Sequence, residues 1–181
     1  VGNKQIGVNW GMGLFKPKAC DYCDDVFAET ADIAVMDGWL PQYVKDGRGT
    51  SLIVVRDRRL MDVLYSGQEA GSMYLESVSV EEIVKSQQGG LNHRKQGLAY
   101  RLSISMGWTP TKRIRPSSDF SLLFKVEQIM RLVLRKTSRH AMTVQIKVES
   151  GLLIFNTLMA LQLFAYRVVQ KLKRIFKLSI Y

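Results

Sequence analysis

Two cysteines separated by two residues, Cys20 and Cys23 in the run Ala19-Cys20-Asp21-Tyr22-Cys23-Asp24-Asp25, are the residues best suited to chemistry in this chain. On a tight turn that gap lets both sulfurs point at one metal, as in zinc knuckles and iron–sulfur clusters. The same spacing serves a thioredoxin-like dithiol, which needs a thiol pKa lowered by a helix N-terminus or a nearby cation. Asp21, Asp24 and Asp25 crowd the sulfurs with negative charge instead, which works against the dithiol. A zinc site needs four ligands, and beyond the pair there are only His93 and His140, one on each side of a basic connector and in no ligand-like spacing. A 4Fe-4S cluster needs about four cysteines, and the chain has two. The pair therefore reads as half of a metal or iron–sulfur ligand set in a redox protein, its other ligands lying upstream in a longer polypeptide. Two buried thiols with no metal are the plain structural alternative.

The elements that must position this pair can be read on either side of it. Gln5-Ile6-Gly7-Val8-Asn9 predicts a short strand entering the glycine turn Trp10-Gly11-Met12-Gly13. After the cysteines, Val26 to Ala31 predicts a short helical turn, and Ile33-Ala34-Val35-Met36 a buried strand. Trp39 to Thr50 is a loop by its Pro41, Gly47 and Gly49, and Ser51-Leu52-Ile53-Val54-Val55-Arg56 is the clearest strand. Arg58 to Glu69 predicts a helix and Met73 to Val78 an extended stretch. Ser79-Val80-Glu81-Glu82 has the form of a capping box that starts a helix running to about Gln88. Beyond Gly89-Gly90, Leu91 to Met106 is helix-like, and Trp108 to Pro116 is a basic connector with two prolines. Two long helices come next, roughly Asp119–Val148 and Leu152–Leu178, interrupted at Gly151. The class is α+β: a mixed-sheet front domain, residues 1–115, and a helical basic extension, residues 116–181.

An apolar share of 46% and a charged share of 23% describe a folded globular chain. The net charge of +10 is divided unevenly. Residues 1–91 hold 9 Lys/Arg against 13 Asp/Glu, a balance of −4, whereas residues 92–181 hold 17 against 3, a balance of +14. Two regions with different partners are the natural reading. Nucleic acid is not expected as one of them, because the aromatics are not interleaved with the basic residues as a stacking platform requires. The chain opens on Val1-Gly2-Asn3 without the charged start, apolar stretch and cleavage site of an export signal, so cytoplasmic residence is expected. Leu152 to Tyr166 is strongly apolar but falls short of the roughly 20 residues that span a bilayer, and it contains Asn156, Thr157 and Gln162. The next stretch sets Arg167, Lys171, Lys173, Arg174 and Lys177 among Val168, Val169, Leu172, Ile175 and Phe176, the pattern of a basic amphipathic helix. Residues 151–181 would then either lie on anionic lipid at the inner face of the membrane or pack on their own domain with a solvated basic face.

The block from Lys18 to Trp39 resembles the C-terminal domain of the coenzyme F420 hydrogenase/dehydrogenase beta-subunit family. The shared features are a C-x-x-C, an acidic residue, the Ala31-Asp32-Ile33 strand start and the turn Asp37-Gly38-Trp39. Gly49-Thr50-Ser51-Leu52-Ile53-Val54-Val55-Arg56 also fits, and the similarity covers roughly residues 1–115. Gln87 to Leu102, with His93-Arg94-Lys95 and Tyr100-Arg101, is similar to members associated with bacterial surface polysaccharides. The resemblance implies an iron–sulfur flavoprotein that passes electrons between a 4Fe-4S cluster and FAD, and onward to a deazaflavin or another acceptor, with donor and acceptor proteins as partners. It makes Cys20 and Cys23 cluster ligands.

Within that reading, Gly11, Gly13 and Gly38 would let backbone approach a flavin or its phosphates closely, though the turns themselves also account for these glycines. The glycines are not a GxGxxG on a βαβ unit, so no Rossmann site is implied. Asp32 would hydrogen-bond within the cluster loop or simply end a strand. Arg56 would meet a phosphate or carboxylate, or stand as an ordinary surface arginine. The alternative function is a membrane-associated accessory of surface polysaccharide biosynthesis that keeps the fold without electron transfer.

Overall fold

The computed structural model describes residues 12–143 and 149–176. The expected strand at Gln5–Asn9 and Gly11 of the glycine turn lie outside them. The architecture is α+β, as the sequence predicts, and it separates into two compact units. One contains residues 1–23 and 97–181, and the other residues 24–96.

The second unit is built on an antiparallel pair, β1 (Ile33–Asp37) and β2 (Ser51–Val55). The register sets Ala34 opposite Val54 and Met36 opposite Leu52, so these four share one face. Ala34 and Leu52 are buried there, whereas Val35, on the other face, is exposed. A lone two-stranded ribbon is marginal in water, and the loop after β1 helps to hold this one. Leu40 is buried, the Gly38 N–H donates to the Thr50 carbonyl at 2.8 Å, and the Trp39 N–H donates to the Ser86 hydroxyl at 2.8 Å.

Helix α1 (Arg58–Glu69) starts at Asp57, whose carboxylate accepts the Arg59 N–H at 2.8 Å. Helix α2 (Val80–Ser86) starts with the capping box expected from the sequence. The Ser79 hydroxyl accepts the Glu82 N–H, and the Glu82 carboxylate accepts the Ser79 N–H, both at 3.2 Å. Two expectations change in this unit. Val26 to Ala31 is a bend followed by a single turn closed by the Ala31 N–H on the Ala28 carbonyl, not a helical turn, because Asp25 draws the Phe27 and Glu29 N–H groups onto its carboxylate and Ala28 takes a φ of +50°. Gly89 and Gly90 lie inside α3 (Gln88–Arg94) instead of separating two helices. At Gly90 a Cβ would stand 3.5 Å from the Val26 side chain, so the glycine lets α3 lie close against that bend.

In the first unit, a single 3-10 turn over Lys18–Asp21 carries the cysteine segment. Helix α4 (Gln96–Ser103) ends well before Met106, and the chain then turns at Gly107 with a φ of +85°. The long helices are α5 (Leu122–Thr143) and α6 (Glu149–Ile175), which pack on one another. Gly151 falls within α6 and does not break it, since an isolated glycine costs a helix only about 1 kcal/mol. Met12, Leu134, Met159, Leu163 and Tyr166 form the core of this unit, joined by Leu14, Met130 and Phe155. Tyr100, Phe120 and Phe124 make a second apolar contact, with ring centroids 4.7–6.4 Å apart.

Because α6 is continuous past Tyr166, the stretch Leu153–Ile175 is long and apolar enough, by length and composition, to cross a membrane. The strongly apolar run seen in the sequence, Leu152 to Tyr166, is thus shorter than the helical stretch that carries it.

Candidate functional site

Cys20 and Cys23 are both half-buried and not joined in a disulfide, placed by the 3-10 turn and the residues just after it. Pro17 precedes the turn and its carbonyl accepts the Cys20 N–H at 3.0 Å, while the Ala19 carbonyl accepts the Tyr22 N–H at 3.1 Å. Local bonding of this kind shapes the turn. Its fixation to the rest of the unit comes from Asp21, one of the two residues between the cysteines.

Asp21 is buried, and its carboxylate is turned away from solvent onto α5. One oxygen pairs with the Arg135 Nε at 2.6 Å and the other with the Arg139 Nη1 at 3.0 Å. Residues 135 and 139 are one helical turn apart, so a single acid reaches both. The Asp21 main-chain carbonyl accepts a third guanidinium bond, from the Arg101 Nε at 3.0 Å. Arg101 is itself buried and donates to the Gln128 side chain at 3.1 Å. A Cβ on Gly97 would stand 2.8 Å from both the Arg101 Nη1 and the Gln128 Oε1, so glycine there lets this pair lie against the helix backbone. Upstream, the Phe15 N–H donates to the buried Ser138 hydroxyl at 2.9 Å, which anchors the approach to the turn on α5 as well.

The electrostatics of this arrangement differ from what the sequence suggests. Asp21 is neutralised by ion pairs, and the carboxylate of Asp25 is engaged by the N–H groups of Phe27 and Glu29. The Cys20 sulfur is within electrostatic reach of Arg135. Burial, and next the neighbouring Arg135, pull the Arg101 guanidinium down to about 10 against the opposing attraction of Asp21. Burial pulls Arg135 down too, with Asp21 again opposing. The Arg135 Nη2 is buried with no hydrogen-bond partner among the described residues. Cations therefore stand against the cysteine turn where the sequence shows three acids.

Beside this network, Glu127 is buried and holds Arg131 at 3.0 Å and, through its other oxygen, the Lys173 ammonium. The Tyr166 hydroxyl donates to it at 3.4 Å. Burial alone would raise the Glu127 carboxyl, but Arg131 and Lys173 outweigh it and hold the group below the ordinary glutamate range.

The other expected site residues are divided between the two units. Gly13 lies in the same unit as the cysteines and takes a φ of +67°, a conformation that favours glycine. Gly38, Asp32 and Arg56 lie in the other unit. At Gly38 a Cβ would meet the Thr50 carbonyl at 3.1 Å and the Tyr43 ring at 3.3 Å, so close approach of the chain to itself accounts for the glycine. The Arg56 guanidinium donates to the carbonyls of Phe27, Ala28 and Ala31 at 2.8–3.1 Å. The Asp32 carbonyl accepts the Arg56 N–H at 2.7 Å, which closes the same loop. The sequence gives no sign that Arg101, Arg135 and Arg139 hold the cysteine turn. The pair at 135 and 139 had a signal in its helical spacing, but nothing local marks Asp21 as their partner.

Among the described residues, no group of three or more His, Cys, Asp or Glu side chains is arranged to hold a metal ion. Two thiols fit half of a four-ligand set, and the one acid between them is committed to arginine. The described residues thus do not complete a cluster site. In comparison with known proteins, residues 2–81 match the family described as the C terminus of the coenzyme F420 hydrogenase/dehydrogenase beta subunit. That match includes the cysteine turn and both strands and ends at residue 81, within α2, short of the residue 115 expected from the resemblance. No curated protein and no solved structure matches the chain.

Proposed function

We propose that the chain has an oxidoreductase-related role as the C-terminal part of an iron–sulfur flavoprotein, a reading supported by the match of residues 2–81 to the C-terminal family of the coenzyme F420 hydrogenase/dehydrogenase beta subunit. In this reading electrons pass between a 4Fe-4S cluster and FAD, with a deazaflavin or a partner protein as the further acceptor. The observation that carries it is the cysteine turn itself: two half-buried thiols on the segment that the family match covers, on a turn held by Arg101, Arg135 and Arg139.

A cluster handles single electrons and a flavin converts them to hydride equivalents; the protein positions the two and tunes their potentials. What this chain's own residues contribute is position and charge. Asp21 ties the turn that carries the two sulfurs to Arg135 and Arg139, so the backbone of the turn is held in place. Those cations set positive charge beside the turn that bears the sulfurs. The remaining ligands come from another polypeptide segment, because two thiols cannot close a four-ligand set.

Iron, sulfide and flavin analysis of the longest polypeptide that contains this chain, purified without oxygen, tests the proposal. Iron and flavin are both expected, and iron is expected to fall to background in the Cys20→Ser, Cys23→Ser double variant. A colourless protein that takes up neither group after reconstitution overturns it.

A further inference from the structure

The α6 helix is apolar on two opposite faces, and the described residues account for only one of them. Met159, Leu163 and Tyr166 are buried against the core that α5 helps to form. On the far side, Ile154, Leu158, Leu161, Val168, Leu172 and Ile175 are all exposed, Ile154 at 69% and Leu161 at 64%. Their spacing runs in steps of three, four and seven residues, which at 3.6 residues per turn makes one continuous stripe. Phe164 widens it, 67% exposed. Monomeric soluble proteins seldom leave a contiguous apolar surface of this extent in water, so the stripe calls for an occupant.

The charges beside it indicate which. From Ser150 to Tyr181 there are five Lys or Arg and no Asp or Glu. Lys173 is taken by Glu127 on the α5 side. Arg167, Lys171 and Arg174 are exposed, and by helical phase they line one edge of the apolar stripe. A second copy of the chain would bring these cations together with no acid to answer them, whereas paired helices ordinarily flank their seam with opposite charges. A spanning arrangement meets a different obstacle. The polar ties from α6 to α5, from Gln162 to Thr137 at 3.1 Å and from Tyr166 and Lys173 to Glu127, would carry Arg131, Arg135, Lys136 and Arg139 into the hydrocarbon. An apolar stripe edged by lysine and arginine fits a bilayer surface rich in anionic lipid.

We propose that the outer face of α6 docks on anionic membrane, lying in the plane of the interface with Ile154, Leu161 and Phe164 among the acyl chains and Arg167, Lys171 and Arg174 at the headgroups. The inference does not rest on the electron-transfer reading, and it holds equally for a chain that carries no cofactor.

Flotation of the full chain with vesicles of phosphatidylcholine, with and without phosphatidylglycerol, is the test. Binding is expected to the phosphatidylglycerol vesicles, weakened by salt. Arg167→Glu with Lys171→Glu should lower partitioning by about thirtyfold or more. Leu161→Glu with Phe164→Glu should abolish it, and because all four side chains are exposed the helical circular dichroism should be unchanged. Absence of flotation with either lipid, or equal flotation with both, overturns the proposal. So does a stable dimer, seen by sedimentation velocity, that the Leu161→Glu variant dissolves, since a second copy would then be the occupant. Retention of the chain in cell membranes through alkaline carbonate would overturn it too, by establishing spanning instead.

Discussion

At the scale of single residues, Asp21 is the side chain on which most depends. It lies between the two cysteines, it is buried, and it faces Arg135 and Arg139, so removing its charge strands two guanidinium groups in a largely dry site. Asp21→Asn is expected to cost about 3–5 kcal/mol, read as a lower denaturation midpoint in urea with an unchanged slope. Arg139→Gln should cost much less, since Arg139 is partly exposed and Arg135 still holds the acid. Glu127 gives a pH prediction. Its carboxyl titrates lower in the folded chain than in the unfolded one. It therefore contributes stability at neutral pH that is lost as pH falls through and below the ordinary glutamate range. The stability gap between the native chain and Glu127→Gln should narrow over that window and stay constant above it, measured by thermal melts from neutral pH downward. The cysteines, the capping serine and the strand residues were legible in the sequence because each acts on neighbours a few positions away. The arginine anchor was not, because residues 101, 135 and 139 meet residue 21 only after the chain has folded.

At the scale of elements, what the sequence marks locally is what the structure keeps. The Ser79–Glu82 capping box is present with both of its bonds. Ser79→Ala should remove about 1 kcal/mol and speed amide exchange in the first turn of α2. Helix α6 offers a contrast between its two faces. Leu163 is buried in the core and Leu161, two positions earlier, is exposed. Leu163→Ala should cost about 2–5 kcal/mol, while Leu161→Ala should change stability by about 0.5 kcal/mol or less, both read by chemical denaturation. Helix ends were legible only where a cap or a proline marks them. The run through Gly89–Gly90 depends on Gly90 meeting Val26, which no window of neighbouring residues contains, whereas the bend at Val26 to Ala31 is set by Asp25 bonding Phe27 and Glu29, a local arrangement that the apolar pattern does not signal.

At the scale of the whole molecule, the cysteine segment shares a unit with α4, α5 and α6, while both strands belong to the other unit. Arginines on α4 and α5, in the basic half of the chain, hold the turn that bears the thiols. If the anchor is structural and the thiols are not, then Cys20→Ser with Cys23→Ser should leave the urea midpoint close to that of the native chain prepared without metal, while iron uptake is lost. By itself the sequence determined the α+β class, the strands β1 and β2, the helices α1 and α2 and the position of a candidate ligand pair. These come from periodicity, capping and spacing, which are short-range properties. Only the tertiary structure decided the charge around that pair. Three nearby aspartates suggested a negative site, yet burial cannot leave an acid unpaired, and the fold supplies Asp21 with cations from more than a hundred positions away along the chain.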